Sequence, residues 1–206
     1  MKLLFLIATC AWAQIEQPRI GVMLDPAGDA RPVSGAAGSA VTQGPIARGV
    51  ASLACSGDRC AFRKTKAVIA FGVDSVYVYE AGRLSRNGAP VSISVTGEIL
   101  SIREANNVLE FAVRREDGVW IVRDGDIVVN ALPDADGPVL LAGETILFAS
   151  GNETVVLRPD GSRQNLPLRP GAFLRMSNAY AQIRSGRTSY AVQLSTGRFF
   201  VLAEAP

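Results

Sequence analysis

Apolar and polar residues alternate with a period of two along much of the chain, as in Ser75-Val76-Tyr77-Val78-Tyr79, Val91-Ser92-Ile93-Ser94-Val95 and Ala179-Tyr180-Ala181-Gln182-Ile183. Nowhere do apolar residues recur at i, i+3, i+4 and i+7 through fifteen residues without a Gly or Pro intervening. Period two on short segments predicts strands, so the chain reads as all-β. The clearest stretch is Val139 to Leu168. Its apolar runs Val139–Ala142, Thr145–Ala149, Thr154–Arg158 and Gln164–Leu168 are too short for helices. They are separated by Gly143-Glu144, Gly151-Asn152-Glu153 and Pro159-Asp160-Gly161, whose residues turn a backbone at little cost. One such sheet cannot bury both faces alone and must stack on others.

Approximate copies of its final hairpin recur. Ile20–Leu24 leads through Gly28 to Arg31–Val33, and Val76–Tyr79 through Gly82 to Arg83-Leu84. Val119–Val122 leads through Gly125 to Asp126–Val129, Val155–Leu157 through Gly161 to Arg163–Leu168, and Tyr190–Leu194 through Gly197 to Arg198–Leu202. The five glycines are spaced 54, 43, 36 and 36 residues apart, each where a tight hairpin requires positive φ. Two further strands precede each later hairpin: Leu100–Arg103 with Val108–Arg114, and Phe173–Met176 with Ala179–Ile183. For the Gly82 unit, Ser52–Cys55, Cys60–Arg63 and Ala67–Phe71 compete for those places. The Gly28 unit keeps only its last two strands, and Ser34–Gly49 reads as an irregular loop. Four strands recurring at this spacing predict a β-propeller-like fold of about four to five four-stranded antiparallel blades, incomplete or open, with a β-sandwich as the alternative. The N-terminal hairpin forms a reduced fifth blade, seals a ring against the C-terminal sheet, or leaves an open fan. The loosening of the spacing towards the N-terminus places specialised function between Ser34 and Phe71.

The chain opens with Lys2, an apolar run from Leu3 to Cys10 and Ala11-Trp12-Ala13. That order predicts a signal peptide over 1–13, cleaved after Ala13, and a single domain over 14–206 in the periplasm or outside the cell. A lipoprotein signal at Cys10 is the weaker alternative, because Thr9 is larger than the usual preceding residue. No apolar run after the signal is long enough to span a membrane. The formal charge is +2, so no basic field recruits nucleic acid. Cys55 and Cys60 flank Ser56-Gly57-Asp58-Arg59 and predict a disulfide pinning a hairpin, as an oxidising compartment permits.

Pro18 to Ala40, with Arg31-Pro32-Val33-Ser34-Gly35-Ala36-Ala37-Gly38 inside it, resembles the opening of secreted β-propeller-like proteins of unknown function from acidobacteria-type soil bacteria. The similarity extends over the later blade pattern and implies fold and export. It implies no activity and no catalytic residues. Leu157-Arg158-Pro159-Asp160-Gly161 also resembles the S-P-D-G turn of exported propellers with WD40-like repeats.

The chain contains no histidine, which excludes Ser-His-Asp and Cys-His catalysis and histidine-ligated metal sites. No phosphate loop occurs, because Gly35-Ala36-Ala37-Gly38 lacks the lysine it needs. Carboxylate hydrolysis of a glycosidic bond needs only two acids, for which Glu98, Glu104 and Glu110 are candidates. Asp134-Ala135-Asp136-Gly137 resembles part of a calcium loop but continues with Pro138 and Val139, so it reads as a turn. Asn152-Glu153-Thr154 has the form of a glycosylation sequon and reads as a turn as well. Tyr77, Tyr79, Trp120, Tyr180 and Tyr190 read as packing between blades, with Trp120 in the repeat position of Tyr77. No cofactor or metal is predicted. The expected function is an exported, non-catalytic binding module for a protein or glycan partner in the cell envelope. A carboxylate-dependent glycoside hydrolase and a structural envelope protein are the alternatives.

Overall fold

The computed structural model describes residues 19–36 and 38–202. The expected signal peptide over 1–13, its expected cleavage site and Cys10 lie outside the described residues. Every regular element among the described residues is a strand. Among the described residues, no helix is long and apolar enough to cross a membrane.

The strands, numbered in chain order, open with β1 (Arg19–Leu24), β2 (Ala30–Ser34) and β3 (Val41–Thr42), which form one sheet. The hairpin β4 (Ser52–Ser56) and β5 (Arg59–Arg63) follows. Blade I is β6 (Val68–Phe71), β7 (Val76–Glu80), β8 (Arg83–Arg86) and β9 (Ala89–Val91). Blade II is β10 (Glu98–Ala105), β11 (Val108–Arg115), β12 (Gly118–Arg123) and β13 (Ile127–Leu132). Blade III is β14 (Val139–Ala142), β15 (Thr145–Ser150), β16 (Glu153–Leu157) and β17 (Arg163–Leu166). Blade IV is β18 (Ala172–Arg175), β19 (Tyr180–Ser185), β20 (Thr188–Gln193) and β21 (Phe199–Val201). Each blade is an antiparallel meander of four strands.

The inner strands β6, β10, β14 and β18 pack side by side around one axis, and β4 fills the gap between β18 and β6. It pairs in parallel with β18 through Ala54 and Arg175. The ring of inner strands is therefore closed. The fold is β-propeller-like, with four full blades and a composite fifth position in which β4–β5 lies inside and the β1–β3 sheet fills the outer wedge.

Apolar side chains hold adjacent blades together. Phe111, Val113 and Val122 of blade II meet Tyr77 and Leu84 of blade I, and Ile121 and Leu132 meet Leu141 and Phe148 of blade III. Leu147 and Val156 meet Ile183 and Val192 of blade IV. Burying one such side chain contributes about 1.5–3 kcal/mol, so the strand alternation read in the sequence is the source of the stack. Ile20, Met23 and Val33 join the N-terminal sheet to blade IV, and Val22 and Leu24 join it to Leu53 and Cys55 of β4.

The N-terminal sheet is also tied by hydrogen bonds. Val22 N–H donates to the Met176 carbonyl at 3.2 Å. Gln182, fully buried on β19, uses its amide as a peptide group. Its Oε1 accepts from Leu24 N–H at 2.9 Å, and its Nε2 donates to the Leu24 carbonyl at 2.8 Å and to Ser189 Oγ at 2.9 Å. Gly21 permits this approach, because a Cβ there would overlap the Met176 carbonyl. The seam between β4–β5 and blade I is polar instead. Ser52 Oγ accepts from Ala67 N–H at 2.8 Å, and Arg59 Nη2 donates to the carbonyls of Gly72 and Val73 at 3.1 and 3.0 Å.

Several expectations are corrected. The Gly82 hairpin joins the second and third strands of its blade, not the third and fourth. The turn equivalent to those at Gly125, Gly161 and Gly197 is Asn87-Gly88, where Gly88 has φ +84°. Counted from Gly88, the blade spacing is nearly constant, so the loosening towards the N-terminus ends at blade I. Two glycine turns six residues apart carry equal local signals, and only the ladder chooses between them. Trp120 on β12 is consequently not the counterpart of Tyr77 on β7. Of the competing strands, Ala67–Phe71 supplies β6, while the Cys55 and Cys60 strands belong to the fifth position. The Gly28 unit has three strands rather than two, because Val41-Thr42 pairs with Val33 and Ser34. Within Val91–Val95 only Val91 is in a strand. Beyond it Asp124 and Asp126 accept the N–H groups of Ser94 and Thr96, which draws the alternating segment out of the ladder while Ile93 and Val95 still cover the blade I–II core. The chain does not form a sandwich.

Gly28, Gly82, Gly125, Gly161 and Gly197 all have positive φ, between +68° and +82°. The outer strand β13 leaves Ile127, Val128 and Val129 exposed. A bulge at Val129, between the pairs Ile121–Asn130 and Val122–Val128, bends this edge away from the flat geometry that further strands would need.

Cys55 and Cys60 are directly opposed across β4 and β5 and form a disulfide. In exported, unreduced protein, thiol alkylation is expected to label neither. Reduction should expose both and lower unfolding stability by roughly 2 kcal/mol, measured by urea unfolding; labelling of both cysteines before reduction would contradict this. A second prediction concerns the β1–β2 turn. Burial of Asp25 raises its proton affinity, but the N–H of Asp29 and the Arg31 guanidinium outweigh it and hold the carboxyl below its ordinary range. A carboxyl depressed on folding contributes stability above its unfolded pKa of about 4 and loses that contribution as pH falls through the folded value. The urea midpoint of the wild type should therefore drop more steeply below about pH 4 than that of Asp25→Asn. Parallel acid limbs would exclude the assignment.

Candidate functional site

The inner strands all run in one direction along the axis, so their starts surround one opening and their ends the other. Between the openings lies a cavity of about 100 Å³ lined by all five strands. Its lining carries Leu53, Ile69, Leu100, Leu140 and Leu174 on successive strands, together with Ser52, Ser101 and Arg175. The chemistry is concentrated at the two mouths.

At the starting mouth, with a volume of about 380 Å³, Glu98 and Arg114 face each other at 3.5 Å. Arg114 Nη2 also donates to the Gly137 carbonyl at 2.6 Å. Both charges are engaged there. Lys66 is the further cation at this rim.

The ending mouth, of about 440 Å³, differs. Glu104, on the last turn of pleat of β10, has Oε2 buried without a hydrogen-bond partner. The carboxylate lies on the bare Cα of Gly72, where a Cβ would overlap Oε2. Arg175 ends β18, and its Nε is likewise buried without a partner. Its Nη2 donates to Asn178 Oδ1 at 3.1 Å, and the same oxygen accepts from Ser56 Oγ at 2.9 Å. This shared acceptor joins β4 to blade IV at the rim. Burial makes the charged guanidinium less favourable and lowers the Arg175 pKa from its ordinary value. Glu104 and Arg175 do not form an ion pair with each other. Asn106 and Asn107, both at positive φ in the β10–β11 turn, add amides to the rim. Buried polar atoms are ordinarily paired, so two orphans of opposite charge at one opening mark it out.

The three acids considered for hydrolysis are not brought together. Glu98 and Glu104 stand six residues apart on one strand, roughly 20 Å at the usual strand rise, and they serve opposite mouths. Glycosidase carboxyls stand about 5–10 Å apart. Glu110 is on the other face of the sheet from Glu104. It is held by Arg103 Nη2 at 2.7 Å and Arg123 Nη2 at 3.1 Å, and is nearly fully buried. Asp134 pairs with Arg163 at 3.1 Å, and Asp136 accepts from Gly151 N–H at 2.9 Å. Thr154 of the sequon is buried and donates to the Leu168 carbonyl at 2.7 Å. Tyr77, Tyr79 and Trp120 cover the blade I–II core. Tyr190 packs edge-on to Phe199 and Tyr180 to Phe200.

Arg175, Asn178 and the two asparagines escaped the sequence reading. The available signal was a charged residue at the end of a repeat's first strand, a position shared by Glu104 and Arg175. Ser56 and Phe71 lie within the Ser34–Phe71 region and Gly72 borders it, but both charges come from the regular blades.

No protein-family model matches the chain, and no curated protein sequence does. Among solved structures it is similar to virginiamycin B lyase from Staphylococcus aureus, with TM-score 0.47 and 11% identity, over 90% of this chain and 84% of that one. It is also similar to PorZ, a surface component of the type-IX secretion system of Porphyromonas gingivalis, with TM-score 0.45 and 13% identity, over 90% of this chain and 31% of that one. The fold assignment stands on the ring of inner strands.

Proposed function

We propose that this protein is an exported, non-catalytic binding module that takes its ligand at the mouth bounded by Glu104 and Arg175. The observation that carries the reading is that two residues lining one opening, Glu104 and Arg175, each hold a buried charged-group atom without a partner. A carboxylate or guanidinium left unpaired in a buried position costs stability in the empty protein. A ligand that supplies the missing partners recovers that cost as affinity. The separation of the acids supports binding over carboxylate hydrolysis. The N-terminal signal pattern and the Cys55–Cys60 disulfide support export to the periplasm or beyond, as does the resemblance to secreted propeller-like proteins.

The test is amide nuclear magnetic resonance of the folded chain, titrated with the low-molecular-weight fraction of the native medium. Reversible shifts at Gly72, Asn106, Asn107 and Asn178, without chemical change in the fraction, are expected. Shifts confined to the Glu98 mouth, or release of reducing sugar from envelope polysaccharide, would overturn the proposal.

A further inference from the structure

We infer that the ligand of this mouth is a small zwitterion, a free amino acid or short peptide, with its ammonium group on Glu104 and its carboxylate on Arg175. The inference rests on the binding reading above and narrows its chemistry.

Two observations and two exclusions lead there. The two orphan atoms have opposite charge, one an acceptor and the other a donor, and they sit on different inner strands without pairing to each other. A simple anion would satisfy Arg175 Nε but would meet Glu104 across the same opening. A cation alone would satisfy Glu104 and leave the desolvated guanidinium worse off. Only a ligand carrying both charges completes both groups with charge-assisted bonds.

The other polar groups at the rim fit this use. Arg175 keeps one Nη2 bond to Asn178, which orients the guanidinium while its buried Nε–H is left without a partner and remains for a carboxylate that enters the mouth. Asn106 and Asn107 offer amides for a peptide or side-chain group at the outer rim. A neutral glycan fits less well. The ring bordering the mouth, Phe71, is 6% exposed and lies beneath the Arg59 guanidinium at 5.4 Å. No aromatic face among the mouth's residues is therefore open for a sugar to stack on. The volume of about 440 Å³ suits an amino acid or a di- or tripeptide.

The test is calorimetric titration of the full mature chain with alanine, glutamate, arginine and Ala-Ala, each alongside its N-acetyl and its carboxamide form. At least one zwitterion should bind, and blocking either terminus should weaken it at least tenfold. Glu104→Gln should abolish the discrimination between free and N-acetylated ligand while leaving the thermal midpoint unchanged or raised, since Oε2 makes no bond in the empty protein. Equal affinity for blocked and free forms, or an unaltered Glu104→Gln, would overturn the zwitterion assignment. So would silence towards all these probes when the medium fraction still shifts the rim amides, and in that case the binding module stands. Silence towards both overturns the binding module as well.

Discussion

Gln182→Leu is expected to loosen the N-terminal sheet from blade IV and to lower the thermal midpoint by about 6–12 °C. The substitution conserves volume but removes three hydrogen bonds from a buried interface. It leaves the N–H and carbonyl of Leu24 and the hydroxyl of Ser189 without partners. A buried orphan costs about 1–3 kcal/mol, so three of them cost about 3 kcal/mol or more. For a chain of this size each kcal/mol moves the midpoint by about 2–4 °C. Gly21→Val should reach the same state by another route, by forcing β1 off the Met176 carbonyl. In both variants hydrogen exchange at Val22 and Leu24 should accelerate far more than in blade III, because the seam opens before the blades do. A midpoint shift under 2 °C in Gln182→Leu would mean that apolar packing of Ile20, Met23 and Val33 holds the N-terminal sheet on blade IV without the amide.

Glu110 is the second position of large effect. Its carboxylate is 4% exposed at the side chain and pairs with both Arg103 and Arg123, whose side chains are 14% and 43% exposed. Glu110→Gln leaves two guanidinium groups facing a neutral amide. Breaking a buried pair of this kind costs about 3–5 kcal/mol, and the exposure of Arg123 favours the lower end. Glu98→Gln is the internal comparison, since Glu98 and Arg114 are 60% and 39% exposed. An exposed pair contributes about 0–1 kcal/mol. Urea unfolding should therefore separate the two variants by about 2 kcal/mol or more. Equal losses would show that water reaches Glu110 and that the clamp is a surface pair.

Hairpin turns and strand alternation were legible because each is decided within a few residues. Val139–Ala142 could be read to its ends, since glycine at positive φ and a short apolar run are local facts. The Gly82 turn was equally visible, and so was Asn87-Gly88, yet their order in the blade was not. Both satisfy the same turn chemistry, and the choice belongs to the ladder between β8 and β9. The disulfide was legible because its cysteines stand five positions apart across one turn.

Glu104 could be picked out as a carboxylate but not as an orphan. Whether a charged atom has a partner depends on every strand around it, and Gly72, Arg175 and Asn178 lie far away in sequence. Gln182 is more opaque still. Nothing nearby distinguishes it from any polar residue on a strand, and Leu24, which it binds, is 158 residues distant.

Local sequence thus determined that this chain is built of repeated four-stranded meanders pinned by glycine turns, because turn and strand preferences act over a few residues. Tertiary structure alone decided that β4 completes the ring, that Gln182 latches the first strand to the last blade, and that Glu104 and Arg175 share one mouth. Those outcomes depend on which distant groups are buried together and which are left unpaired. That sum is taken over the whole fold, and no short stretch of the chain contains it.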